Sequence, residues 1–305
     1  NILPDGATTG DGTGGSSNEG ETETGVDGVT LVGTNGRDTL AGGAGDDTLT
    51  GNRGNDNLSG GEGDDTFLVR GRGAGLDQYD GGEGEDTIQG SNRNDRIMVE
   101  DGLENLQGIE AIDGGDGYDV IQGSRGDDVL DFSEGPALSN IEQIDGGRGD
   151  DTIIGTSGDD TIRGNRGNDN LSGGEGNDTF VVRGNAGFDH FDGGKGEDVI
   201  EGSRYNDTIQ VADGLENLQS IEAIDGGDGY DILQGGRGDD YIDLSNGPAL
   251  KNIEEIDGGA GNDKIIGTAG DDRIEGNLGD DKMAGGEGND TFVVRGNAGF
   301  DHFDG

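Results

Sequence analysis

One nine-residue frame can be laid 23 times over this chain, from residues 33–41 to residues 296–304. Residues 173–181, Gly-Gly-Glu-Gly-Asn-Asp-Thr-Phe-Val, show its three parts: a glycine-rich turn, an aspartate at the sixth place, and a short tail. In all 23 frames the sixth residue is aspartate, and the eighth is Leu, Ile, Phe, Met or, once, Tyr79. A period this short restricts the chain to a repeat architecture, in which each unit buries its apolar face only against its neighbours.

The frame itself predicts local structure. Glycines at the first, second and fourth places permit positive φ, so the backbone can turn tightly with its carbonyls inward. Tails such as Thr-Leu-Thr, Thr-Ile-Ile and Thr-Phe-Val are β-formers whose central side chain points to one face. Two frames make a coil of eighteen residues: turn, strand, turn, strand. Stacked coils give an all-β fold, a parallel β-roll or β-helix solenoid with two parallel sheets around a thin core. Composition agrees, because 27% apolar residues without Trp cannot fill a thick core. Taken alone, 70 glycines and a net charge of −48 describe a disordered polymer.

That charge needs a counterpart. Stacking sets each aspartate on the one eighteen residues away, as Asp38 on Asp56 or Asp160 on Asp178, and rows of like charge would open the coil. A hard divalent cation held by carboxylates and turn carbonyls removes the conflict. Calcium accepts six to eight oxygens in flexible geometry, whereas magnesium demands a tight octahedron and keeps its water. Transition metals prefer His or Cys, which the turns do not offer. One divalent ion per frame would carry +46 against −48, an upper bound, since coils at interruptions and ends lack a partner turn. Calcium binding and folding are then a single process.

The frame resembles the Gly-Gly-x-Gly-x-Asp-x-U-x nonapeptide of RTX (repeats-in-toxin) proteins, over residues 33–305. The resemblance implies a calcium-loaded β-roll, a Gram-negative or cyanobacterial source, and type I export of an unfolded chain that folds outside the cell. Carried over place by place, it makes calcium ligands of Asp38, Asp47, Asp56, Asp65, Asp77, Asp86, Asp95, Asp119, Asp128, Asp151, Asp160 and Asp169. It does the same for Asp178, Asp189, Asp198, Asp207, Asp231, Asp240, Asp263, Asp272, Asp281, Asp290 and Asp301. Arg93 and Tyr205 replace the fourth-place glycine, so weak or empty sites are expected in residues 90–98 and 202–210.

Residues 1–32 read as a low-complexity linker or interaction segment, with Val26, Val29, Leu31 and Val32 able to form an opening strand; residues 33–305 are the array. Longer tandem blocks of 112 or 113 residues start near 51, 164 and 276, and residues 173–193 are identical to 285–305. The pattern suggests a segment of a longer array. Each block carries two interruptions, first at 99–113 and 132–145. Each is expected to supply one strand, at 109–112 and 141–144, joined by a longer turn without metal, with Leu103 and Leu106 plugging the coil end. A block then holds eleven half-coils, an odd number, which leaves two options open: swapped faces or a bulge.

Several functions are set aside. Without cysteine there are no disulfides or thiolate metal sites, and no apolar run approaches a membrane span. The acidity excludes nucleic acid as a natural partner. Neither His-Glu-x-x-His nor Gly-x-Ser-x-Gly occurs, and the carboxylates share one environment where an acid–base pair needs two, so no enzyme is expected here. His190 and His302 fall at an outward seventh place, and Arg-Gly-Asp at 125–127, 148–150 and 237–239 is a product of the repeat. The expected function is a calcium-dependent extracellular structural segment, a stalk, surface layer or filament that self-associates, with calcium buffering as a by-product. The alternative is the C-terminal export and folding region of a type I-secreted enzyme or toxin.

Overall fold

A computed structural model of the chain describes residues 21–22, 28–295 and 299–305. The segment expected over 1–32 therefore falls mostly outside the described residues, and so does Val26. Each of the 23 frame tails forms a strand of three or six residues, and the only helical pieces among the described residues are the 3-10 turns Asp101–Leu103 and Asp213–Leu215. The fold is an all-β parallel solenoid. It comprises two compact units, Asn1–Ser124 with Asp128–Asp145, and Arg125–Asp127 with Gly146–Gly305.

In the first unit, Thr39–Ala44, Asn57–Glu62 and Gln78–Glu83 stack in parallel as one sheet. Thr30–Val32, Thr48–Thr50, Thr66–Leu68 and Thr87–Gln89 stack as another. Thr30–Val32 is the opening strand, and the backbone of Glu21–Thr22 pairs beside Leu40 and Ala41. The register places eighth-place residues on one another, Leu49, Phe67 and Ile88 in one file below Leu31 of the opening strand, and Leu40, Leu58 and Tyr79 in the other. The two files meet between the sheets, where Phe67 and Tyr79 touch edge to face at 5.5 Å. Phe180 and Phe191 repeat that contact in the second unit, also at 5.5 Å. With so thin a core, each large side chain matters. Phe180 is fully buried, and Phe180→Ala is expected to cost about 3–5 kcal/mol, a lower midpoint in denaturant unfolding at saturating calcium. Its neighbour Thr179 points outward, and Thr179→Ala should stay within about 0.5 kcal/mol.

The interruptions do more than expected. Instead of one strand, the first yields the 3-10 turn Asp101–Leu103 and two strands, Leu106–Gln107 and Ala111–Asp113. The second yields Ala137–Ser139 and the start of Gln143–Arg148. Leu106 is buried on Tyr79 in the sheet register, while Leu103 is only half-buried. A buried asparagine holds each first interruption in place. Asn105 Nδ2 donates to the carbonyls of Asp77 (2.8 Å) and Met98 (3.1 Å), and its Oδ1 accepts the Glu100 N–H at 2.9 Å. Asn217 makes the same three bonds with Asp189, Gln210 and Ala212.

With two strands per interruption the expected eleven half-coils per block do not hold, and the outcome is traced whole in the second unit. There Thr152–Ile154, Asn170–Glu175, His190–Lys195 and Leu218–Gln219 form a sheet that ends at the interruption. The opposite sheet, Thr161–Arg166, Thr179–Val181, Val199–Glu201, Ala223–Asp225 and Ala249–Lys251, ends one interruption later. Two new sheets replace them. One starts at Thr208–Gln210 and continues through Ile232–Gln234, Glu255–Asp257, Arg273–Glu275 and Thr291–Val293. The other starts at Tyr241–Asp243 and continues through Lys264–Ile266, Lys282–Ala284 and His302–Asp304. A side chain seeds this last sheet: Asp213 Oδ1 accepts the Tyr241 N–H at 2.9 Å, and Asp101 does the same for Val129. Coils through the interruptions thus carry three strands, and each sheet is replaced by a new one rather than continued.

Candidate metal centre in the stacked turns

Positive φ is used at two of the three glycine places. Gly174 (φ 113°) and Gly176 (φ 122°) show it at the second and fourth, and Asn52, Asn165 and Asn277 take the left-handed conformation where asparagine holds the second place. The expectation that the first-place glycine does the same is corrected by Gly42, Gly60, Gly164 and Gly173, none of which has positive φ. There the need is space. A Cβ on Gly173 would stand 1.9 Å from Asp178 Oδ2, so the carboxylate of each frame folds back over the Cα that opens it.

The two carboxylate oxygens differ in role. Oδ1 accepts the backbone N–H of the sixth-place aspartate one coil earlier: Asp38 to Asp56 at 2.8 Å, Asp47 to Asp65 at 2.7 Å, Asp160 to Asp178 at 2.8 Å. The expected Asp38–Asp56 and Asp160–Asp178 stacks are therefore present. Oδ2 is different. In Asp47, Asp56, Asp65, Asp86, Asp119, Asp169, Asp178, Asp198, Asp231, Asp263 and Asp281 it is buried and accepts no hydrogen bond. An orphaned buried carboxylate oxygen costs free energy unless a cation or proton meets it. Carbonyl oxygens converge on the same spot, because a Cβ on Gly42 would lie 1.9 Å from Asp47 Oδ2 and 2.7 Å from the Gly60 oxygen of the next coil. Among the described residues no three Asp, Glu or His side chains come together, so a cation here is completed by carbonyls. An all-oxygen donor set of this kind fits calcium.

Seven of the predicted ligands behave otherwise. Asp38, Asp95, Asp128, Asp160, Asp207, Asp240 and Asp272 accept the second-place N–H of their own turn on Oδ2. Where that residue is Thr or Ser its hydroxyl donates as well, as Thr34 does to Asp38. Asp95 and Asp207 belong to the turns that Arg93 and Tyr205 deprive of glycine. Of the rest, Asp77 Oδ2 accepts the Tyr79 hydroxyl at 3.3 Å, Asp151 and Asp189 are buried, and Asp290 and Asp301 are half-buried. A turn already closed by its own N–H has less need of a cation. Asp65→Asn should therefore weaken calcium binding about tenfold or more at its site, and Asp38→Asn less, read by calorimetric titration.

Electrostatics point the same way. Burial, opposed by the Asp47 N–H and reinforced by the charges of Asp86 and Asp47, pushes Asp65 up to about 6. Burial likewise pushes Asp77, Asp169, Asp178 and Asp189 to about 6, and Asp263 to about 7. Asp56, Asp86, Asp119, Asp198, Asp231 and Asp281 are raised for the same first reason.

Two features escape a reading of the repeat alone. Fifth-place Asp and Asn build a second ladder on the outside: Asp46 Oδ1 accepts the Asp64 N–H (3.1 Å), and Asp150 Oδ1 that of Asn168 (2.8 Å). This ladder holds all three aspartates of the Arg-Gly-Asp tripeptides, Asp127, Asp150 and Asp239. The interruptions also hide a degenerate frame. Glu110, Glu142, Glu222 and Glu254 stand in place of the aspartate, two residues before the buried Ile112, Ile144, Ile224 and Ile256. Four residues repeating as Ile-Glu-x-Ile were the available signal. His190 is half-buried with its ring nitrogen 3.2 Å from Gln219 Nε2, and His302 is exposed.

Comparison with known proteins agrees with this geometry. No curated protein sequence matches the chain. The family described as RTX calcium-binding nonapeptide repeat (4 copies) matches residues 32–67, 73–102, 106–136, 145–180, 181–214, 220–248 and 257–292. These matches span most of the polypeptide, including the hidden glutamate frames at 110 and 222, and the chain belongs to the RTX family of calcium-binding nonapeptide repeats.

Proposed function

We propose that this segment is a non-catalytic, extracellular structural element, a stalk, surface layer or filament unit that folds and stiffens on binding many calcium ions. The observation that carries the reading is the block itself: its frames use two closely related turn chemistries built on one aspartate, and its interruptions renew both sheets in kind. Uniform units serve length and stiffness, whereas catalysis needs a place that differs from its surroundings. Sixth-place aspartates with an orphaned Oδ2 are the principal ligands, and those closed within their own turn contribute least. RTX repeats are typical of secreted proteins, and no helix among the described residues is long and apolar enough to cross a membrane.

Imaging of the purified chain with and without calcium tests the role. Particles that join end to end or side by side only with calcium are expected. Dispersed compact monomers under every condition would remove the structural reading and leave the export and folding region of a larger secreted protein.

A further inference from the structure

The interruptions look like breaks in metal binding, yet their carboxylates sit where a ligand would. Asp86 is fully buried and its Oδ2 accepts no hydrogen bond. Its backbone N–H donates to Glu110 Oε2 at 2.7 Å, the bond that an aspartate one coil on makes elsewhere. The same bond joins Asp119 to Glu142 (2.6 Å), Asp198 to Glu222 (2.7 Å) and Asp231 to Glu254 (2.6 Å). Asp119, Asp198 and Asp231 also have a buried, unpartnered Oδ2.

A carbonyl completes each arrangement. A Cβ on Gly81 would meet the Gly108 oxygen at 1.9 Å and Asp86 Oδ2 at 2.3 Å, so both oxygens face one point. At Gly193 the pair is the Ser220 oxygen (2.2 Å) and Asp198 Oδ2 (2.3 Å). Gly114 finds the Asn140 oxygen and Asp119 Oδ2, and Gly226 finds the Asn252 oxygen and Asp231 Oδ2. The donors of these carbonyls share an unusual backbone: Gly108 (φ 59°), Asn140 (51°), Ser220 (50°) and Asn252 (53°) are all left-handed. Three of the four are not glycine, so the conformation is held against its intrinsic cost. It delivers the carbonyl oxygen to the position that the next first-place glycine supplies in an ordinary stack.

From these contacts we infer that the interruptions carry four calcium sites of their own, each built from one buried aspartate, one fourth-place carbonyl and one interruption glutamate. The sites are Asp86 with Glu110, Asp119 with Glu142, Asp198 with Glu222, and Asp231 with Glu254. Three-stranded coils are therefore metal-bearing joints rather than gaps in the calcium rows. This deepens the proposed function and rests on the aspartate turns being calcium sites.

The test uses the full chain and calcium alone as probe. Replacing the four glutamates together, as E110Q/E142Q/E222Q/E254Q, keeps a side-chain oxygen to cap the aspartate N–H but removes the charge. Equilibrium dialysis at saturating calcium, with circular dichroism confirming the fold, is expected to show one ion lost per replaced glutamate. Should the fourfold variant not fold, Glu110→Gln alone is expected to remove one ion or weaken one site about tenfold. Unchanged stoichiometry and affinity would overturn the inference and leave these glutamates as hydrogen-bonding caps. Asp65→Asn serves as the reference: if it loses calcium while the glutamine variants do not, only the present inference fails. If it too binds as before, the reading of the aspartate turns fails with it.

Discussion

Dialysis against EGTA at neutral pH should convert this chain from a β-solenoid to an expanded coil. The loss would be seen as collapse of the β signal in circular dichroism and slower sedimentation, with a radius of gyration approaching about 60 Å. Neighbouring coils stand about 4.8 Å apart, so two ionised carboxylates on adjacent rungs repel by about 3 kcal/mol at an effective dielectric near 20. A typical fold is stable by only about 5–15 kcal/mol. In the first unit alone, Asp47, Asp65 and Asp86 succeed one another in one row, each bonded to the next. A handful of such pairs exceeds what the thin file of Leu, Ile and Phe can offset. Calcium returned in excess should restore the fold, since the ion binds the folded state alone and the gain scales with its concentration. Retention of full β signal after exhaustive chelation would contradict this account.

Acid should do part of calcium's work. With the metal removed, lowering the pH from about 7 to about 4 is expected to increase β structure, opposite to ordinary acid denaturation. The sign follows from the carboxylates. Asp65, Asp77, Asp169, Asp178 and Asp189 are pushed to about 6 and Asp263 to about 7 in the folded chain, against 3.8 for the free group. Between those values the folded state binds more protons than the unfolded one. Their contribution is fully present below about pH 4 and is lost as the pH rises through 6 to 7. The calcium-loaded chain should respond the other way, with affinity falling as protons compete for the same oxygens below about pH 6. A chelated chain that stays equally unfolded from neutral to acid pH would show that desolvated carboxylates are not what opens it.

Much of this arrangement was legible in the residues. Period, tail and aspartate together placed Leu49, Phe67, Ile88 and their equivalents in the core, and placed Asp38 on Asp56. The fold class follows from spacing alone, because strand side chains alternate and the frame leaves one inward position per tail. Finer distinctions depended on geometry. Whether an aspartate is closed by its own turn follows φ at the second place, positive at Gly43 but not at Thr34 or Gly236, and residue type alone does not give that φ. Glu110 was hidden because its frame begins with Asn105 rather than glycine, although Asn105 proves to be the buried clamp of the loop. The start of a new sheet could not be read at all, since it depends on Asp213 and Asp101 offering a carboxylate where no strand precedes.

Renewal of both sheets within a block has a consequence for how such an array can grow or shrink. Thr179–Val181 and Thr291–Val293 occupy corresponding places in consecutive blocks, each in a sheet of its own, yet the sequence around them is identical over residues 173–193 and 285–305. A gene that gains or loses a whole block keeps every joint intact, whereas one that gains half a block leaves a strand with nothing beneath it. The quantum of inheritance is therefore the block, and variants of this array should differ in length by multiples of it.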